Sequence, residues 1–259
     1  MANKSYHEVT EEEWKIIEKT LPAAKRTGRP QINLRAAFNG LLWLLKSGAP
    51  WRLLPAKYGK WNSVYRKFRQ WTSAGVFKAL MQTKAEFGEI LALDSTFCKV
   101  HRHGLGARKN APGHETEQEI GSSRGGKTTK IHVLIDEKFH LVKFLLSAGN
   151  VNDNQLALPL LQGLNLKGKT ILADKAYSDA KIRNYLEKQE AQVCIPDKVN
   201  AKVKHDFDKV LYKKRNVVER FFCRLKDYLR ITIRLDKLSS SFTGFVSLAI
   251  FLISLRIRH

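Results

Sequence analysis

Three carboxylates stand out by type and by setting. Asp94 ends the apolar run Ile90-Leu91-Ala92-Leu93, and Asp174 ends the run Thr170-Ile171-Leu172-Ala173, eighty positions later. Each run reads as a short buried strand that delivers one acid at its end, where ligands collect in open α/β sheets. Glu219 follows forty-five residues further on, inside a basic helical segment. Three acids brought together repel one another and raise their own pKa values unless a cation sits among them. In a chain of formal charge +22, such a trio is expected to hold metal and to face nucleic acid.

The segment around Glu219 carries a second pattern, Tyr212-x₂-Arg215-x₃-Glu219-x₆-Lys226. At 100° per residue from Tyr212, all four side chains fall in one stripe about 60° wide. Val217, Val218, Phe221, Phe222, Leu225 and Leu229 cover the core face, and Lys213, Arg220 and Arg224 add positive charge elsewhere. Taken without Asp94 and Asp174, the segment is an amphipathic surface helix with an Arg215–Glu219 pair one turn apart.

The elements that must position these residues differ along the chain. Trp14, Trp43, Trp51, Trp61 and Trp71 all fall in the first eighty or so positions. Helices are predicted there over 11–21, opened by Thr10 with Glu13 three places on, over 36–45, closed by Ser47-Gly48-Ala49-Pro50, and over 63–72. Tyr65, Phe68 and Trp71 form the apolar stripe of the third, with Arg66, Lys67 and Arg69 off it. Short helices with basic faces are compatible with a helix-turn-helix unit, as with any small helical bundle.

From Glu89 strands are predicted over 89–99, 130–135, 142–147, 170–173 and 193–195, with Asp136-Glu137-Lys138 as a hairpin turn. Helical patterns cover 152–164 and 179–188, and the Gly-, Lys- and Arg-rich stretch 102–130 reads as a loop. Antiparallel strands followed by alternating helix and strand suit a ribonuclease H-like mixed sheet flanked by helices better than a doubly wound one. The expected organisation is a small all-α, helix-turn-helix-like domain over 1–85 and an α/β catalytic domain over 86–259.

Composition narrows the partners. Lys plus Arg number 46 against 24 Asp plus Glu, which calls for a polyanionic partner: nucleic acid by default, with a basic membrane-surface or ribosomal protein as the alternative reading. The apolar run 242–255 is too short to span a bilayer and is interrupted by Thr243, Gly244, Ser247 and Ser254, so it reads as a buried terminal helix. With no signal-peptide pattern at the N-terminus, a cytoplasmic protein without a membrane partner is expected. Cys98, Cys194 and Cys223 lack CxxC spacing, and Cys98-x₂-His101-x-His103 matches no common zinc site. His114 and His132 add no ligand set; His132 is expected in the core or behind the site. Arg102, Arg108 and Lys109 read either as loop charges or as backbone contacts. Asp136 and Asp153 are explained by a turn and by a helix N-terminus without metal.

The Tyr212, Arg215, Glu219 and Lys226 spacing is the Y-R-E-K signature of DDE transposases. Other words agree: Gly48-Ala49-Pro50-Trp51-Arg52, Trp61-Asn62-Ser63-Val64-Tyr65, Leu93-Asp94-Ser95-Thr96, Arg124-Gly125-Gly126-Lys127-Thr128-Thr129-Lys130-Ile131-His132 and Ala173-Asp174-Lys175-Ala176-Tyr177. From about Trp14 to Leu255 the chain resembles the transposases of the insertion sequence 5 family, with Ala176 where many relatives carry Gly.

The resemblance implies that Asp94, Asp174 and Glu219 bind two Mg²⁺ ions, with Mn²⁺ as a substitute, and catalyse DNA strand cleavage and strand transfer. It further implies that Tyr212, Arg215 and Lys226 contact DNA. Arg66, Lys67, Arg69, Arg124, Lys127, Lys130 and Lys175 are expected as additional DNA contacts. The implied partners are double-stranded DNA, as terminal inverted repeats and as target, and a second copy in a homodimer that holds two ends, in the bacterial cytosol with the nucleoid. A DNA-binding protein that keeps the fold without the chemistry, and a nuclease that cuts without joining, are the alternatives.

Overall fold

The computed structural model describes residues 8–23, 32–81, 87–107 and 118–256. In chain order, helices α1 (Glu11–Glu18), α2 (Leu34–Ser47), α3 (Trp61–Ser73) and α4 (Val76–Met81) precede strand β1 (Ile90–Val100). Strands β2 (Gly121–Ser123), β3 (Gly126–Asp136) and β4 (Leu141–Ala148) follow. Helix and strand then alternate as α5 (Asn154–Leu161), β5 (Thr170–Ala173), α6 (Ala180–Lys188) and β6 (Gln192–Cys194). The remaining helices are α7 (Lys209–Tyr212), α8 (Asn216–Lys226), α9 (Leu229–Thr232) and α10 (Ser239–Arg256). Two compact units result: Met1–Thr83 with Val100–Gln118 and Leu225–Ile253, and Lys84–Lys99 with Glu119–Arg224 and Ser254–His259.

The first unit is helical. The Thr10 side chain accepts from the Glu13 amide while the Glu13 carboxylate accepts from the Thr10 amide, the reciprocal cap that the sequence predicts. Asn33 caps α2, and Gly48, at φ 64°, stops it in the left-handed conformation that a residue without Cβ adopts freely. Helix α3 buries Val64, Phe68 and Trp71. Phe68 stacks on Phe245 of α10 at 4.5 Å, so the C-terminal helix is part of the core that the N-terminal helices build. That follows from its composition: α10 is apolar all round, and a helix without a polar face is satisfied only inside a core. Among the described residues, no helix is long and apolar enough to cross a membrane.

The second unit is a mixed sheet. Strand β3 pairs antiparallel with β1 and with β4, while β1, β5 and β6 run parallel. The parallel pairs need crossovers, which α5 and α6 supply. Leu91 and Leu93 lie beside Ile171 and Ala173 in register, on the face that packs Ala157, Leu160, Ile182 and Leu186. Side chains alternate between faces along a strand, so Asp94 points to the other face, and so does Asp174 one residue past the end of β5. This is the ribonuclease H-like arrangement expected from the sequence.

Three local expectations need correction. The stretch 102–130 is not all loop: β2 and the start of β3 form a hairpin from Gly121, turned at Arg124-Gly125, with Gly126 opening β3 at φ 90°. β-Branched Thr128 and Thr129 belong to a strand that the surrounding Gly and Lys mask in a periodicity reading. The basic segment is not one helix either. A 3₁₀ turn over Lys213–Arg215 separates α7 from α8, which stops at Lys226. Leu229, expected on the core face, lies beyond that stop and is 52% exposed.

Candidate active site

Asp94 and Asp174 are brought together by register. Leu93 pairs with Ala173 across the parallel strands, so the next residue on each chain is one of the two acids. Asp94 Oδ1 accepts from the Ser95 amide at 2.7 Å, and Asp174 Oδ1 accepts from the Ala176 amide at 2.7 Å, capping the 3₁₀ turn Lys175–Tyr177. Each carboxylate is thereby oriented by its own backbone, with its second oxygen left for a cation.

Arg215 supplies a cation. Its Nη1 donates to Asp94 Oδ2 at 2.8 Å, and its Nη2 donates to Glu219 Oε1. The 3₁₀ turn just before α8 sets this bridge: Arg215 leaves the turn toward the sheet while Glu219 follows one helical turn later. On α8, Val217, Val218, Phe221, Phe222 and Leu225 are buried, as the helical wheel predicts. Tyr212 lies beneath the same guanidinium, 5.7 Å from ring centre to Arg215 Cζ.

Burial dominates the electrostatics of Asp94. It pushes the carboxyl up to about 6; the Ser95 amide and the Arg215 charge oppose that rise, and the charges of Asp174 and Asp153 add to it. Tyr177 is wholly buried in the same field. Burial first, then Asp153 and Asp94, hold its phenol above the usual range, so it stays protonated.

Asp153 is the residue that sequence reasoning missed. It was expected as a helix N-terminal acid, yet its side chain makes no cap bond to α5. It accepts instead from Ser95 Oγ at 2.9 Å and from Lys130 Nζ at 2.8 Å. Lys130, expected as a DNA contact, is buried and spends its charge on Asp153 and on the Val151 carbonyl at 2.7 Å. Only the pairing of Ser95 with His132, and of Phe97 with Lys130, puts these residues on one face, and no motif announces it. His132 stands behind them as expected, with Nε2 2.8 Å from Ser147 Oγ; burial lowers its pKa to about 4, so it is neutral at physiological pH.

The other expected contacts are placed as follows. Arg124, Lys127, Lys175 and Lys226 are exposed, Lys127 donating to Ser122 Oγ at 2.8 Å. On α3, Arg66 is exposed and Lys67 donates to Gln70 at 3.1 Å, while Arg69 is half-buried. Arg108, Lys109 and His114 lie outside the described residues. Asp136 is a turn residue, accepting from the Lys138 and His140 amides. Cys98 and Cys194 are buried and Cys223 is exposed.

The donor set fits a hard divalent cation. Mg²⁺ takes carboxylate oxygens, retains several waters and uses one or two protein acids plus substrate phosphates in place of an all-protein cage. Among the described residues no group of three or more His, Cys, Asp or Glu side chains is placed to hold a metal ion; the Arg215 guanidinium, between Asp94 and Glu219, stands where positive charge is accommodated.

The fold is thus a ribonuclease H-like sheet with acids at the ends of two adjacent parallel strands and a third on a following helix. Residues 85–253 match the family described as "Transposase DDE domain", and residues 9–81 match "Putative transposase of IS4/5 family (DUF4096)". The chain belongs to the DDE transposases of this insertion-sequence group. It is 35% identical over 133 residues to a "Putative transposase for insertion sequence element IS6501" from Brucella ovis, covering 50% of this chain and 99% of the relative. It is also 30% identical over 118 residues to an uncharacterized protein of Sinorhizobium fredii, covering 44% and 94%. The piggyBac transposase synaptic complex with hairpin DNA shares the fold at a TM-score of 0.51 and 11% identity, covering 94% of this chain and 70% of that one.

Proposed function

We propose that this transposase binds insertion-sequence ends and catalyses Mg²⁺-dependent strand cleavage and strand transfer, with Asp94, Asp174 and Glu219 holding two ions. The observation that carries this reading is the junction of β1, β5 and α8: register sets Asp94 beside Asp174, and Arg215 bridges Asp94 to Glu219 on the helix. When bound, two ions supply Lewis-acid activation at the attacking and the leaving oxygen. The chain's own residues do the rest. Ser95 and Ala176 amides fix the acids, and Tyr177 and His132 stay neutral beside the Lys130–Asp153 ion pair. Tyr212, Arg215 and Lys226 receive phosphates of the bound strand, Arg215 after leaving its carboxylates. Exposed Arg66, Arg124, Lys127 and Lys175, with Lys67 and Arg69, extend the contact to flanking duplex, in the terminal repeats and in target DNA. A homodimer acting on the bacterial nucleoid follows from the need to hold two ends.

Joining of a labelled end duplex to plasmid in Mg²⁺ tests the reading. Asp94→Asn, Asp174→Asn and Glu219→Gln each lose both cleavage and joining while end binding persists. Cleavage without joining would instead identify a nuclease, and sequence-specific binding without either would identify a repressor.

A further inference from the structure

The helical unit contains a cavity of about 500 Å³, within the roughly 300–1,000 Å³ of small-molecule sites. Trp51, Trp61 and Tyr65 line it, together with Arg69 and Lys237. Trp51 and Tyr65 meet edge-on with centroids 5.0 Å apart, and Trp51 is backed by Phe68 and Phe245, so this aromatic wall is rigid. Trp61 is different: it stays 38% exposed, with the Arg52 guanidinium 5.6 Å from its ring centre.

Among the described lining residues the one acid, Asp236, is buried and clasped by Arg230 through two bonds of 3.0 and 2.8 Å. Its charge is therefore neutralised, and what the cavity offers a ligand is π-surface plus the cations of Arg69 and Lys237. That combination recognises a flat aromatic ring attached to phosphate. The volume accommodates one nucleotide and excludes a duplex.

We infer that this cavity takes one unpaired nucleobase of bound DNA, stacked on Trp61 and Tyr65 with its phosphates on Arg69 and Lys237. The inference rests on the reading of the chain as a DNA-end-binding transposase. Base–aromatic stacking tolerates any base, because every base has a π-face. The site therefore senses an unstacked nucleotide at an opened or cut end and carries no sequence code of its own.

The test uses the full chain and two duplexes of one end sequence at one fixed salt concentration. One is blunt, and the other carries a single unpaired 2-aminopurine at its terminus. In the parent, emission of the unpaired probe falls on saturation. Trp61→Ala abolishes most of that fall and weakens binding of the overhang duplex by roughly fivefold to a hundredfold, the range of one lost stacking contact. Its affinity for the blunt duplex is unchanged. Trp61→Phe keeps the fall, since a smaller ring still stacks, and Arg69→Gln with Lys237→Gln weakens the overhang duplex more than the blunt one. Equal quenching and equal overhang affinity in Trp61→Ala would overturn the nucleobase site alone. Failure of the parent to bind either duplex would overturn the DNA-end reading, and this site with it.

Discussion

Arg215 Nη1 lies 2.8 Å from Asp94 Oδ2 across 121 positions of sequence, and the same guanidinium holds Glu219. One side chain thus neutralises two of the three acids, and it competes with any metal for the same oxygens. Charge-assisted hydrogen bonds contribute about 1.5–3 kcal/mol each, so Arg215→Ala is expected to tighten Mn²⁺ binding by about tenfold in DNA-free protein at pH 8. The same variant binds end DNA more weakly, because a phosphate contact is lost. Calorimetric Mn²⁺ titration of parent and variant decides it; weaker metal binding in Arg215→Ala would mean that the arginine organises the acids more than it blocks them.

Burial of Asp94 has a consequence for stability against pH. Its folded pKa of about 6 exceeds the ordinary 3.8. The ionised form therefore costs stability: nothing below about pH 4, more through the window up to about 6, and a constant amount above it. Two units correspond to about 3 kcal/mol. Asp94→Asn keeps an oxygen for Arg215 and removes the charge. Without metal it is expected to be near neutral at pH 4 and stabilising by up to about 3 kcal/mol at pH 7.5. Urea unfolding at both pH values measures this, and an equal difference at the two would show that burial is not what perturbs Asp94.

Lys130 and Asp153 form a pair whose lysine side chain is only 7% exposed. Removing one partner of a buried pair strands the other charge, at about 3–5 kcal/mol. Asp153→Ala is expected near the lower end, since Asp153 keeps partial solvent access and Lys130 retains the Val151 carbonyl. Lys130→Met in the Asp153→Ala background should recover much of the loss. Additive effects in this double-mutant cycle would leave the two residues uncoupled.

Much of the site was legible in the sequence because its geometry is local or periodic. Asp94 and Asp174 each close a short apolar run, and Arg215 and Glu219 are four apart. What could not be read comes from strand pairing. Ser95, Lys130 and Asp153 meet only because β1 and β3 pair in one particular register. Nor does periodicity show that a 3₁₀ turn aims Arg215 at Asp94 or that α10 completes a core begun 170 positions earlier.

That last relation gives the final prediction. Phe245 stacks on Phe68 at 4.5 Å and also meets Trp51 at 5.9 Å, while Arg230 donates to the Ala49 carbonyl at 3.0 Å and lies 5.3 Å from the Trp51 ring centre. The segment 1–85 alone would leave Phe68 and Trp51 facing water on that side. Truncating a buried aromatic costs about 3–5 kcal/mol, a large share of the stability of any small domain. Phe245→Ala is therefore expected to destabilise the helical unit by about 3 kcal/mol or more, and an isolated 1–85 segment to lack a cooperative unfolding transition. All five Trp fall in this unit, so near-ultraviolet dichroism and tryptophan emission report on it selectively. A sharp transition in the isolated segment, with parent-like tryptophan signals, would show that the N-terminal helices fold without α10 and that the stacking of Phe68 on Phe245 is dispensable.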